Sequence, residues 1–235
     1  MGELVKILDR PIIGRLFSMG DLHGMYNLLM AKLEHIGFDF EKDLLVSVGD
    51  LVDRGSQNIQ CVELLSKPWF VAVRGNHEEL CILGLHDQSY KRCHIDNGGE
   101  WFYQLDSQSM YNIAKVFSEL PIAMEISYNG YKYGFVHGHI EQNDWEEFKQ
   151  TLFNSRQGNY LGRDPVDHAM WGRERLDPDA KQYMHVNGVD AVILGHTVTS
   201  QPCKRDNCIW IDTGAVYNGN LTIIEIGLGG ALWVR

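Results

Sequence analysis

Short apolar runs recur along the first third of the chain: Leu16-Phe17-Ser18-Met19, Leu44-Leu45-Val46-Ser47-Val48 and Trp69-Phe70-Val71-Ala72-Val73. Each is too short for a buried helix and ends at a glycine-containing polar cluster, which predicts a buried strand. Behind each strand the period lengthens. Met25, Leu28, Leu29, Leu33 and Ile36 recur at helical spacing before Gly37, as do Ile59, Val62, Leu64 and Leu65, and then Leu80, Ile82, Leu83 and Leu85. Strand, loop and helix thus alternate three times, which predicts parallel strands joined by helical crossovers.

The rhythm breaks between Gln88 and Gln108, where Asn97-Gly98-Gly99 precedes the unperiodic cluster Trp101, Phe102 and Tyr103. This predicts an irregular or partly helical insertion near residues 86–120, with a helix near Met110 to Glu119. Beyond it, Met124 to Tyr128 and Tyr131 to Val136 flank Asn129-Gly130, a dipeptide suited to a two-residue hairpin turn. Later strands are expected at 191–194, 208–211 and 221–226, with Ala231 to Val234 a final edge strand. The expected fold is α/β with a more antiparallel second half: two mixed sheets packed face to face, helices outside, in one domain spanning 1–235.

Composition narrows the function classes. The chain has 235 residues, 44% of them hydrophobic, enough for a sizeable core. Its formal charge of -10 repels polyanions and argues against a general nucleic-acid binder, so an anionic substrate must be attracted locally. No apolar run approaches a membrane span, and Met1 to Arg10 lacks a signal-peptide pattern. Five scattered cysteines fit reduced thiols and a cytoplasmic location better than a disulfide framework. Cys203 and Cys208 are expected to flank a hairpin turn and not to form half a zinc site, since no second pair accompanies them. No oligomer is predicted.

The polar clusters carry the chemistry. GDLHG (20–24), GDLVDRG (49–55), RGNHE (74–78), Val136-His137-Gly138 and Leu194-Gly195-His196-Thr197 each place metal- or phosphate-binding side chains directly after an apolar run. Open α/β sheets bind ligands at such strand ends, and glycine lets backbone approach the ligand there. One aspartate or histidine so placed is ordinarily a cap or a satisfied core group. Several together incur a heavy desolvation cost unless a cation lies among them.

In this order, and with Trp171-Gly172-Arg173-Glu174-Arg175 and Ile211-Asp212-Thr213-Gly214-Ala215 following, these motifs resemble the PPP-type metallophosphoesterases over nearly the whole chain. They are most like the small bacterial and lambda-type phage serine/threonine protein phosphatases. The resemblance implies the calcineurin-like metallophosphoesterase fold and two divalent ions, most plausibly Mn²⁺, with Fe²⁺ or Zn²⁺ also suited to such oxygen and nitrogen donors. It implies Asp21, His23 and Asp50 as ligands of the first ion, and Asp50, Asn76, His137 and His196 as ligands of the second. It further implies His77, oriented and charged by Asp53, as proton donor to the leaving group, with Arg54, Arg173 and more weakly Arg74 as phosphate clamps.

The implied activity is hydrolysis of phosphoserine and phosphothreonine monoesters in phosphoproteins or phosphopeptides by direct attack of water, extending to phosphotyrosine and aryl phosphates. A dinucleoside-polyphosphate hydrolase or phosphodiesterase of the same superfamily is the alternative, and a non-catalytic binder would need a missing ligand. His139 stands where phage relatives usually carry Asp, and it is expected to face solvent. His35, His86, His94, His168 and His185 are expected to be solvated. Asp212 is expected to orient a metal-bound histidine or to anchor its own turn, and the Trp101 cluster to pack as a cap.

Overall fold

The computed structural model describes residues 2–158, 162–227 and 232–234. After a short first strand, β1 (Val5–Leu8), the chain runs β2 (Leu16–Met19), α1 (Tyr26–His35), β3 (Leu44–Ser47), α2 (Asn58–Glu63), β4 (Phe70–Ala72) and α3 (Asn76–Leu83). β2, β3 and β4 are hydrogen-bonded neighbours and parallel, as the sequence rhythm predicts. Every residue of β2 and β3 is buried, because opposite faces of these strands meet different layers. Phe17, Met19 and Leu45 pack beneath α1, α2 and α3, whereas Leu16, Leu44 and Val46 face the second sheet.

The segment from Gln88 to Gln108 is more regular than its sequence suggests. Asp87 caps α4 (Gln88–Asp96) and Asp106 caps α5 (Ser107–Ser118), with a 3₁₀ turn, Glu100–Gln104, between them. Each aspartate accepts two backbone N–H groups at the start of its helix, a cap the aperiodic aromatic cluster obscured. The hairpin of β5 (Ala123–Tyr128) and β6 (Tyr131–Val136) follows, with positive φ at both Asn129 and Gly130.

Two further helices had readable signals. In α6 (Trp145–Arg156), Asp144 is the cap and Trp145, Phe148 and Leu152 form the buried stripe; α7 (Pro165–Trp171) opens on Asp164 with proline in its first turn. The chain then supplies β7 (Ala191–Leu194), β8 (Cys203–Arg205), β9 (Cys208–Trp210), α8 (Ala215–Asn218), β10 (Ile223–Ile226) and β11 (Leu232–Val234). Of the expected edge strand, Ala231 lies outside the described residues. β1 was not anticipated: its four residues alternate weakly and only the parallel ladder with β5 defines them.

Among the described residues the strands form a six-stranded sheet, β1-β5-β6-β7-β9-β8, and a five-stranded sheet, β11-β10-β2-β3-β4. Both are mixed. Met124, Ile126, Phe135 and Ile193 of the first sheet meet Val46, Ile224 and Ile226 of the second in the intersheet core. α6 and α7 cover the outer face of the six-stranded sheet, so the layers are α/β/β/α. No helix among the described residues is long and apolar enough to cross a membrane. The carboxyl ends of β2, β3, β6 and β7 are followed by Asp21, Asp50, His137 and His196, which brings the motifs from both sheets to one edge of the sandwich.

Candidate metal centre and phosphate site

Backbone conformation marks this edge. Among the described residues, His23, Asp50, Asp53, Arg54 and His196 have φ between 46° and 74°, and the other non-glycine residues with positive φ, Asn129 and Asp206, lie in hairpin turns. Left-handed backbone at ordinary residues is sparsely populated and persists where the surroundings enforce it. Here the enforcement is visible. Glu78, fully buried, accepts hydrogen bonds from the N–H groups of Asp50, Leu51 and Gly75, locking the second motif to the third. A Cβ on Gly75 would lie 2.2 Å from Asp50 Oδ1, and one on Gly195 would lie 2.2 Å from Asp21 Oδ1, so glycine alone admits both carboxylates.

Asp50 occupies the middle. Its Oδ1 accepts the N–H of His77 at 3.0 Å, at the N-terminus of α3, while Oδ2 faces Nε2 of His137 at 3.3 Å, of His23 at 3.7 Å and of His77 at 3.8 Å. Asp21 accepts the N–H of His196 on both oxygens at 3.1 Å. Asn76 Oδ1 lies 2.9 Å from His137 Nε2. Asp21, His23, Asp50, Asn76, His137 and His196 are all buried.

The three imidazoles expected as ligands share one arrangement. Nδ1 of His23 lies 2.8 Å from Val52 O, Nδ1 of His137 lies 2.7 Å from Val48 O, and Nε2 of His196 lies 3.3 Å from Trp171 O. A carbonyl can only accept, so each ring places one N–H there and turns its other nitrogen toward the acidic centre. Carbonyl-oriented imidazoles with a free lone pair, beside carboxylate and amide oxygens, are a donor set suited to divalent cations. Asp50 with His137 and His196, and Asp50 with His23 and His77, form two clusters able to hold a metal ion, sharing that carboxylate.

The electrostatics agree with a cation-accepting cavity. Burial, then the neighbouring Asp212, pushes the Asp21 carboxyl well up. Burial holds His23 down at about 3 and His196 at about 2, so both are neutral and able to donate. His137 is also disfavoured as a cation by burial, but Asp50 and then Asp21 outweigh this and raise it to about 10. Desolvation opposes the charge on Asp50 too, yet His137 and His77 hold its carboxyl well below the usual range.

Beside this centre lies a second polar unit. Asp53, completely buried, accepts from His77 Nδ1 at 2.6 Å, from His94 Nε2 at 2.9 Å and from Trp101 Nε1 at 2.7 Å. Burial would raise its carboxyl, but the hydrogen bonds from His77 and His94 prevail and hold it at about 2. Arg54 Nη1 hydrogen-bonds His23 Nε2, and its guanidinium sits 5.6 Å over the ring of Tyr217. Arg173 is exposed and reaches back with Nη1 to His196 O at 3.0 Å and Thr197 Oγ1 at 3.2 Å.

Several expectations need correction. Arg74 does not join the site: its guanidinium is buried against Glu79 and the carbonyls of Ser118 and Leu120, tying α3 to the end of α5. His94 is not solvated but fully buried on Asp53, and Trp101 does more than pack, since its indole N–H reaches the same carboxylate. His139 is also buried, with its ring stacked on half-buried His168 at 4.4 Å and its Nε2 3.0 Å from Glu141. Asp212 takes the turn-anchoring alternative, accepting Gly214 N–H at 3.0 Å. His35, His86 and His185 are exposed as expected.

The His94 and Trp101 contacts had a faint signal in sequence, namely a histidine and an indole flanking Asn97-Gly98-Gly99. Nothing in their spacing pointed to Asp53, forty-one residues before His94.

Comparison with known proteins agrees with this architecture. The family described as calcineurin-like phosphoesterase matches residues 14–200. Serine/threonine-protein phosphatase 2 of Salmonella typhimurium is 30% identical over 230 residues, covering 95% of this chain and 99% of the relative. Serine/threonine-protein phosphatase 1 of the same organism is 32% identical over 227 residues, with 95% and 97% covered. A crystal structure described as a diadenosine tetraphosphatase superposes with a TM-score of 0.64 at 21% identity, covering 99% of this chain and 97% of the other, a likeness of fold. The chain belongs to the calcineurin-like phosphoesterase family, among its PPP-type, lambda-phosphatase-like members.

Proposed function

We propose that this protein is a metal-dependent phosphoprotein phosphatase acting on phosphoserine and phosphothreonine monoesters, with phosphotyrosine and aryl phosphates as further substrates. The observation that carries the reading is the convergence on Asp50 of three carbonyl-oriented imidazoles, with the His77–Asp53 pair 2.6 Å apart beside them. The 30% identity to a bacterial serine/threonine phosphatase over most of both chains supports the substrate class.

In this reading Asp21, His23 and Asp50 hold one divalent ion, and Asp50, Asn76, His137 and His196 hold the other, Mn²⁺ being the preferred ion of an all oxygen-and-nitrogen set. When bound, such a pair supplies positive charge for the phosphoryl oxygens and a water acidic enough to attack phosphorus. His77 gives its Nε2 proton to the departing alkoxide oxygen as the P–O bond breaks. Asp53 holds the opposite edge of that ring, fixing its orientation and favouring its charged form. Arg54 and Arg173 bind phosphoryl oxygens bidentately. Arg54 now donates to the His23 lone pair that a cation would take, so the two uses of that nitrogen exclude each other. Catalysis without a covalent phosphoenzyme follows from the absence of a nucleophilic cysteine here: the buried Cys81, the thiol nearest this network, is pushed well up by burial and by Asp53.

The reading places the protein in the cytoplasm, in keeping with its unpaired cysteines. The test compares hydrolysis of a phosphoserine peptide, p-nitrophenyl phosphate, diadenosine tetraphosphate and a bis-aryl phosphodiester by one manganese-loaded preparation. The phosphopeptide should be turned over with the highest kcat/KM among the biological substrates. A dominant rate on the dinucleotide would replace the substrate assignment while leaving the centre intact.

A further inference from the structure

The helical segment around α4 does something other than cover the site. Asp53 receives hydrogen bonds from three sides, and two donors, His94 and Trp101, come from this segment. His94 is completely buried, and its other ring nitrogen, Nδ1, lies 3.0 Å from the hydroxyl of Tyr103. A carboxylate accepts, so His94 carries its proton on Nε2 and its Nδ1 is left to accept from Tyr103. The direction of donation is therefore set along the whole chain: Tyr103 to His94, His94 to Asp53, and His77 to Asp53 from the other side.

The backbone around this chain is fitted to it. A Cβ on Gly99 would fall 1.9 Å from the His94 ring, and one on Gly98, whose φ is +94°, would fall 2.9 Å from Arg54. The carbonyl of Gly98 accepts the N–H of Arg54 at 3.2 Å. The Asn97-Gly98-Gly99 turn thus lies against both the carboxylate that orients His77 and the backbone of the arginine beside it. A buried histidine that served packing alone would not need both ring nitrogens in line with a buried carboxylate and a buried-edge phenol.

We propose that His94 is a positioning residue for proton donation, holding Asp53, and through it the ring of His77, in the orientation the leaving group requires. The inference rests on the assignment of His77 as proton donor. His94 itself touches neither substrate nor metal. With His94 in place Asp53 has one orientation; without its Nε2–H, the carboxylate oxygen shared with His77 loses a donor and can rotate away from the imidazole.

The test uses full-length, manganese-loaded protein and two substrates, a phosphoserine peptide with an alkoxide leaving group and p-nitrophenyl phosphate with a stable phenolate. Orientation of an acid matters for the first and little for the second. His94→Phe should lower kcat on the phosphopeptide by about tenfold or more, with p-nitrophenyl phosphate within about threefold and both KM values unchanged. His94→Gln keeps an N–H donor at the position of Nε2 and should restore most of the phosphopeptide rate. Tyr103→Phe, which removes only the hydroxyl, should give a smaller loss with the same preference for the alkyl substrate.

Equal losses on both substrates, or no rescue by His94→Gln, would make His94 a packing residue and overturn the proposal. Should His94→Phe fail to fold, Tyr103→Phe decides: no alkyl-selective loss there overturns it as well. His77→Asn run in parallel keeps the two ideas apart, because a His77 variant without alkyl-selective loss rejects the proton-donor assignment itself. Alkyl-selective loss in His77→Asn alone rejects only the role of His94.

Discussion

Two histidine-carboxylate clusters begin two residues apart, at His137 and at His139, and behave differently. Around His137 the acceptors outnumber the donors: Asp50 Oδ2 and Asn76 Oδ1 face one imidazole nitrogen at 3.3 and 2.9 Å, with Asp21 and neutral His23 and His196 nearby. Around His139 the protein supplies its own partners. Glu141 takes the hydroxyl of Tyr183 at 2.8 Å and His139 Nε2 at 3.0 Å, while Glu174 faces His168 Nε2 at 3.1 Å and also receives the N–H of Arg173. The first arrangement is completed by cations; the second is largely closed by hydrogen bonds and by the stacking of His139 on His168. Counting histidines does not separate them. Following each lone pair to its partner does.

The comparison breaks most readily at Asp50. Asp50→Asn removes the shared charge, and turnover should fall by about 10³-fold or more together with loss of bound manganese, read by metal analysis of the purified variant. If activity survived, the shared-carboxylate arrangement would be wrong.

Arg173 and Arg175 sharpen it next. Arg175 is buried and donates to the carbonyls of Ile140, Gln142 and Met184, whereas Arg173 is free at its tip beyond His196 and Thr197. Arg173→Ala should lower kcat/KM by about 10²-fold with little change in urea midpoint. Arg175→Ala should instead destabilise the fold by about 3 kcal/mol or more, visible in the same urea titration. A reversal of the two effects would exchange their roles.

A third effect concerns protons. Asp50 and Asp21 raise His137 to about 10, so its proton stabilises the metal-free protein fully below its unfolded value near 6.5, and that contribution is lost as pH rises toward 10. A cation must displace this proton, whereas His23 and His196 have none to lose. Manganese affinity should therefore strengthen by about tenfold per unit between about pH 6 and 8, with at least one proton released in calorimetry across buffers of different ionisation enthalpy. The smallest effect is expected in the outer cluster, where His168→Asn should leave metal content unaltered and activity within about threefold, because only the Glu174 contact beside Arg173 is lost.

The strand-loop-helix rhythm made the parallel β2-β3-β4 core legible, because each strand is an unbroken apolar run with a helix period behind it. The Asn129-Gly130 turn was equally plain, since a type of turn that needs positive φ twice leaves few residues to choose from. β1 was invisible, being half-exposed and defined by a partner more than a hundred residues away.

The site was legible as a set of strand-end side chains, because cations require those donor types. Its supporting shell was not. Arg74, Arg173 and Arg175 are alike in sequence, and only the folded carbonyls around them tell which is consumed. His94 looks like any helix-end histidine until the fold sets it on Asp53.

An anomalous difference map from crystals grown with manganese is the most direct trial of the central claim. Two peaks should flank the Asp50 carboxylate, one beside Asp21 and His23 and the other beside Asn76, His137 and His196. A single peak, or density at His139, Glu141 and His168 in place of Asp50, would contradict it.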